Sequence, residues 1–128
     1  SQREKDLRDF YRRLLNFTIQ SPALMGEYQD IHYYNKEHTE GYDHRVYSFV
    51  RWVDGQRLII VSNFDAERTY QVDLRLPPDL VQLWGLQEGQ YPLKEALYGK
   101  GEYVLEVGAS GGKVPVSLAP LESVILAF

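Results

Sequence analysis

The chain has 128 residues, of which 44% are hydrophobic, 25% charged and 13% aromatic, enough for one soluble globular domain with a core of its own. A net charge of -4, with no run of Lys and Arg, excludes the basic footprint of a nucleic-acid binder or of a protein drawn to an anionic membrane, so neither partner is expected. The absence of cysteine excludes disulfides and thiolate chemistry without choosing a compartment, and neither a transmembrane stretch nor a signal-peptide layout is visible.

In chain order, the first predicted element is an amphipathic helix. Ser1-Gln2-Arg3-Glu4 has capping-box spacing, Leu7, Phe10, Tyr11, Leu14, Leu15, Thr18 and Ile19 recur at helical intervals, and Pro22 stops the run. Gly26 to Ile31 reads as a short strand. His32 to His44 is rich in polar and aromatic residues without a period and reads as a long loop, a place where function concentrates. Val46 to Val53 is a strand, and Asp54-Gly55 is a hairpin signal because a type I′ turn needs positive φ. Leu58, Ile59, Ile60 and Val61 are apolar on both period-two faces, which predicts a central strand covered from both sides. Thr69 to Leu76 alternates dry and wet, and the three strands together read as a meander centred on Leu58 to Phe64.

Pro77-Pro78-Asp79 ends that strand. Trp84 to Gly99, broken by Gly85, Gly89 and Pro92, allows one short strand and a turn. Tyr103 to Val107 is a strand, Gly108 to Gly112 a flexible turn, Val114 to Leu118 a strand whose Pro115 suggests an edge, and Val124 to Phe128 the last strand. One helix followed by short antiparallel strands predicts a β-sandwich with an N-terminal helix leading in.

The chemistry-bearing residues are sparse. Glu27, Asp30, Glu37, Glu40 and Asp43 cluster near the loop, yet none forms an evident acid/base pair, and surface carboxylates are ordinary. His32, His38 and His44 fit no metal-ligand spacing. Gly108 to Lys113 lacks both the glycine spacing and the following helix of a phosphate loop, and Asn16-Phe17-Thr18, a formal glycosylation acceptor, lies inside the predicted helix. No catalytic, cofactor-binding or metal residue is assigned, and no cofactor is expected. Aromatics remain. Ten tyrosines and two tryptophans include Trp84, Tyr91, Tyr33, Tyr34 and Tyr42 in loops or broken segments, the candidates for a platform on which sugar faces stack.

At Leu7-Arg8-Asp9-Phe10-Tyr11-Arg12-Arg13-Leu14-Leu15-Asn16-Phe17, then Ser21-Pro22-Ala23-Leu24 and Gly26-Glu27-Tyr28, the chain resembles the last catalytic-barrel helix of an α-amylase-family glycoside hydrolase and its exit into the C-terminal domain. Ser62-Asn63-Phe64 at the end of a paired strand, Tyr91 to Gly99, and the closing run through Val114 to Leu118, Pro120, Leu121 and Val124 to Leu126 are similar to later segments of that domain. One departure is Phe17-Thr18-Ile19, where many relatives continue with charged residues.

The resemblance implies residues 1–22 as a barrel helix and residues 23–128 as a non-catalytic C-terminal β-sandwich domain, from an enzyme acting on α-glucans such as starch and maltooligosaccharides. The family's catalytic carboxylates lie upstream on barrel strands, so none is carried over. The expected partners are the catalytic barrel and α-glucan. The helix's apolar positions sweep roughly 200° of its circumference, wider than one neighbour requires, so the side left by the barrel is expected to lie exposed or against a second copy of the chain. An independent carbohydrate-binding or protein-interaction sandwich is the alternative reading.

Overall fold

The computed structural model describes Gln2, Glu4, Lys5, Arg8, Asp9 and Arg12, and then residues 26–53, 55–97, 99 and 101–128. The first six are helical, with all but Asp9 exposed. The apolar positions of the predicted helix, Pro22 and Asp54 lie outside the described residues. The described elements that follow are β1 (Glu27–Asp30), α1 (His32–His38), β2 (Val46–Val53), β3 (Gln56–Asn63), β4 (Tyr70–Leu76), α2 (Pro78–Leu83), β5 (Gly89–Glu95), β6 (Glu102–Gly108), β7 (Gly111–Leu118) and β8 (Ser123–Ala127).

All eight strands belong to one antiparallel sheet, in the order β1-β2-β3-β8-β5-β6-β7-β4. Instead of the two separate sheets of a sandwich, this sheet curls into a half-barrel. Its junction is narrow: β8 pairs with β3 from Leu58↔Ala127 to Ser62↔Ser123, but with β5 only at Lys94↔Ala127 and Glu95↔Leu126. Where that ladder stops, the buried Glu95 carboxylate accepts the amides of Leu97 at 3.1 Å and Ile125 at 3.0 Å, standing in for strand partners. The halves thus fold toward each other, and Val50, Ile59, Val61 and Leu126 from one share a single core with Val72, Leu74, Leu105, Val116 and Leu118 from the other.

The hairpin of β2 and β3 has the expected two-residue connection, with Val53 opposite Gln56 and Gly55 at φ +87°. The strand at Leu58 to Val61 is indeed central and buried on both faces: Ile59 and Val61 point into the main core, while Leu58 and Ile60 join Leu97 and Ile125 in a second cluster. The meander is corrected. After Asp65 the chain leaves β3, whose other neighbour is β8, and β4 pairs with β7 from Tyr70↔Leu118 to Leu76↔Gly112. Alternation reports which face of a strand is dry, not which strand lies beside it.

Pro115 does not mark an edge strand, because β7 lies between β6 and β4. It sits opposite Asp73 on β4, beyond the point where the β6–β7 ladder ends at Glu106↔Lys113. A residue without an N–H is tolerated where there is no ladder to feed.

Two helices replace predicted irregular structure. α2 starts with Pro78 at its first turn and Asp79 beside it, where proline's missing N–H costs nothing and a carboxylate suits the helix dipole. α1 occupies the first half of the segment read as a loop. It has no side-chain cap at Ile31 and no acidic first turn, so its stability comes from tertiary contacts. Asn35, fully buried, donates from Nδ2 to the carbonyls of Ile31 and Arg75, both at 2.9 Å, and accepts at Oδ1 from the Arg75 amide at 2.7 Å and the Thr39 hydroxyl at 2.6 Å. Its side-chain amide therefore pairs with Arg75 as a neighbouring peptide would. β4 is one margin of the sheet, and the Ile31 amide donates to the Ser48 carbonyl on β2 near the other. α1 bridges the open seam of the half-barrel.

Candidate functional site

The seam carries the richest arrangement of side chains. In the antiparallel pair of β1 and β2, Tyr28 lies opposite Arg51 and Asp30 opposite Phe49, so the alternating residues Tyr28, Asp30, Tyr47, Phe49 and Arg51 share the face turned away from the main core. His32, the first residue of α1, continues this row. Its ring stacks on Tyr47 at 5.3 Å, meets the edge of Tyr33 at 5.1 Å and leans on Tyr42 at 5.5 Å. Phe49 contacts both Tyr47 at 5.9 Å and Tyr28 at 5.4 Å, and the Arg51 guanidinium lies 5.5 Å from the centre of the Tyr28 ring.

Hydrogen bonds fix the rings. Asp30 Oδ1 accepts the His32 amide at 2.6 Å, Asp30 Oδ2 accepts the Tyr47 hydroxyl at 3.1 Å, and the Tyr47 and Tyr28 hydroxyls are hydrogen-bonded to each other at 2.7 Å. That bond to Tyr28, then burial and the Asp30 carboxylate, push the Tyr47 phenol well above its ordinary range, so it remains a donor. Beneath the row, Tyr42 bonds to His32 Nδ1 at 3.0 Å and to Ser48 Oγ at 2.9 Å. Burial pushes its pKa up to about 12.

The five predicted sugar-stacking residues do not form one platform. Tyr42 is only 6% exposed and offers no ring face, a correction that follows from the closure of the seam over it. Trp84 ends α2 and packs edge-on against Trp52 at 5.7 Å and Phe128 at 5.6 Å, its Nε1 buried without a hydrogen-bond partner among the described residues. Tyr91 is half-buried against the core, with its hydroxyl bonded to the Gln87 main chain. Tyr34 rests on His38 at 4.3 Å. Tyr33 alone of the five is both exposed, at 70%, and part of the seam row. Tyr28, at 47% exposed, and Tyr47 were not singled out by sequence reasoning. The signal lay in the alternation of Tyr47, Phe49 and Arg51, which marks one face of a strand with two aromatics and a cation.

The acids near the seam have structural partners. Asp43 accepts the Arg45 amide and the Tyr70 hydroxyl. Burial opposes ionisation there, but these donors, with His44 and Arg68, hold its carboxyl below the ordinary range. Glu27, Glu37 and Glu40 are exposed. His38 bonds to the Tyr34 carbonyl, His44 is exposed, and no group of three metal-ligating side chains converges among the described residues. Gly108 to Lys113 is the β6–β7 hairpin, with Gly108 opposite Gly111. A groove of about 800 Å³ runs over β4 and β7, lined in part by Glu40, Gln71, Asp73, Arg75, Glu102 and Tyr103. Its charges are mixed, and no aromatic row crosses it.

At the far end of β3, buried Asn63 donates to the carbonyls of Arg68 at 2.8 Å and Ala119 at 3.0 Å and accepts the Asp65 amide at 2.8 Å, while Phe64 beside it is exposed. The polar half of this Asn-Phe pair thus ties two loops to the strand end.

The chain matches AmyP in complex with maltose at a TM-score of 0.63 and 22% identity, over 99% of this chain and 21% of that one. Its fold occurs within α-amylase-family enzymes. A variant of AmyP in complex with maltotriose matches at a TM-score of 0.61 and 22% identity, over 96% of this chain and 20% of that one. A MutB variant in complex with glucose matches at 0.52 and 24%, over 91% and 17%. The chain spans about a fifth of the length of the structures it matches. No family model matches it, and a search of curated proteins found no match. Among the described residues, no helix is long and apolar enough to cross a membrane.

Proposed function

We propose that the chain is the non-catalytic C-terminal β domain of an α-amylase-like glycoside hydrolase acting on α-glucans such as starch and maltooligosaccharides. Residues 1–22 are the last helix of its catalytic barrel, and residues 23–128 are the β domain that supports the barrel. The observation that carries this reading is the combination of nearly complete coverage of this chain with coverage of only a fifth of AmyP. The order of the sequence segments from Leu7 to Leu126 points the same way.

The described carboxylates support the assignment of chemistry to the barrel. Asp30, Asp43, Asp65 and Glu95 are each engaged by main-chain amides, contacts that suit a carboxylate to holding structure. The test is incubation of the pure chain with soluble starch and maltooligosaccharides. No release of reducing ends is expected, and reproducible release would overturn the reading. The barrel-facing side of residues 1–22 lies outside the described residues, and its association with the barrel or with a second copy belongs to the same proposal.

A further inference from the structure

The exposed rings of the seam surround polar atoms, and that combination selects a ligand. Tyr28 and Tyr33, 47% and 70% exposed, flank the half-buried Tyr47 and the buried His32. In the same row lie the Asp30 carboxylate and the bonded hydroxyls of Tyr28 and Tyr47. An apolar protein face laid here would strip water from a carboxylate and two phenols without replacing its hydrogen bonds. A pyranose ring does not have this defect: its C–H face stacks on an aromatic ring while its rim of hydroxyls both donates and accepts.

Capacity for such bonds is present. A carboxylate offers about four acceptor positions, and Asp30 uses Oδ1 for the His32 amide and Oδ2 for the Tyr47 hydroxyl. The site is also rigid where it matters. Tyr47 is held between the stacked His32 ring and the Tyr28 hydroxyl, and His32 is anchored through Tyr42 to Ser48, so little ordering is left for binding to impose.

We propose that the seam formed by β1, α1 and β2 is a sugar-binding site, in which Tyr33 and Tyr28 stack on successive rings of a glucan and Asp30 accepts hydrogen bonds from its hydroxyls. The choice of an α-linked glucan rests on the functional reading above; the site itself rests on the geometry. The site holds substrate near the enzyme and takes no part in bond cleavage.

The experiment is an amide-resolved NMR titration of the 128-residue chain with maltoheptaose. Shifts are expected to centre on residues 28–33 and 47–49, with a dissociation constant of about a millimolar, typical of a shallow site. Tyr33→Ala is expected to weaken binding about fivefold, and Tyr28→Phe, which keeps the ring, by about twofold. Leu83→Ala, at an exposed residue of α2, leaves affinity unchanged. Folding of each variant is read from the same spectra. Binding of cellohexaose in place of maltoheptaose would retain the site and overturn the α-glucan reading. Binding of neither, or equal binding by the wild type and Tyr33→Ala, would overturn the site while the starch assay judged the domain reading separately. Shifts of the same residues that follow protein concentration without sugar would make the row an interface between copies and overturn the proposal.

Discussion

The two halves of the sheet differ in what lies on their outer faces. In β4, β6 and β7 the pattern is plain alternation: Val72, Leu74, Leu105, Val107, Val114 and Val116 are buried, and Gln71, Asp73, Val104, Glu106, Pro115 and Ser117 are exposed. In β3 and β8 both faces are dry. Leu58, Ile60 and Ile125 are buried on the side away from the main core, with Phe49 and Val53 packed against them. The lesson is that one half of this sheet is a wall between core and water, whereas the other is an interior layer. Its outer face passes without interruption, through Phe49, into the aromatic row of the seam.

The largest expected effect tests whether that outer layer carries stability. Leu58→Ala should lower the unfolding free energy by about 3 kcal/mol, as for any fully buried leucine, whereas Val104→Ala on the wet half should change it by less than about 0.5 kcal/mol. Urea denaturation of both variants measures the contrast, and equal midpoints would erase it.

The seam that joins the two margins comes next. Asn35→Ala removes four hydrogen bonds at one buried position, and leaves the Arg75 main chain short of partners on a margin that water can reach. The expected cost is about 2 kcal/mol. A second readout is specific to position: the Arg75 amide should lose its protection from hydrogen exchange, while amides on β3 keep theirs. Unchanged protection at Arg75 would mean that α1 does not fasten β4.

The smallest effect concerns the hairpin that fixes the register of the dry half. Gly55 sits at φ +87° with nothing within 4 Å of where a Cβ would stand, so Gly55→Val meets conformational strain and no clash. A loss of about 1 to 2 kcal/mol is expected from the melting curve. A neutral result would show that the turn adapts without disturbing the pairing of Val53 with Gln56.

What was legible followed from how far along the chain each cause reaches. Strands β2, β4, β6 and β7 could be read because dryness alternates residue by residue, β3 and β8 because their short apolar runs are continuous, and the β2–β3 turn because Asp-Gly supplies the positive φ it needs. α1 escaped notice because seven residues with no period and no cap have no local reason to be a helix. Its reason is Arg75, forty positions away, whose main chain Asn35 completes. α2 did announce itself through Pro78, but a proline that ends a strand and one that starts a helix look alike until the following residues have somewhere to pack. The candidate site was legible only in part: Tyr33 was visible as a loop aromatic, whereas Tyr28 and Tyr47 looked like ordinary strand residues and Tyr42 and Trp84 like exposed ones.

By itself, then, the sequence determined which stretches extend, which faces are dry, where the tightest hairpin turns, and that both sides of Leu58 to Val61 are covered. These are matters of backbone stereochemistry and of local apolar pattern. Only the tertiary structure decided that β3 neighbours β8 and not β4, that one sheet curls where two were expected, and that a short helix closes its seam. Each depends on contacts between residues distant in the chain, where many pairings satisfy the same pattern and the one that buries the most apolar surface while satisfying Asn35, Asn63 and Glu95 prevails.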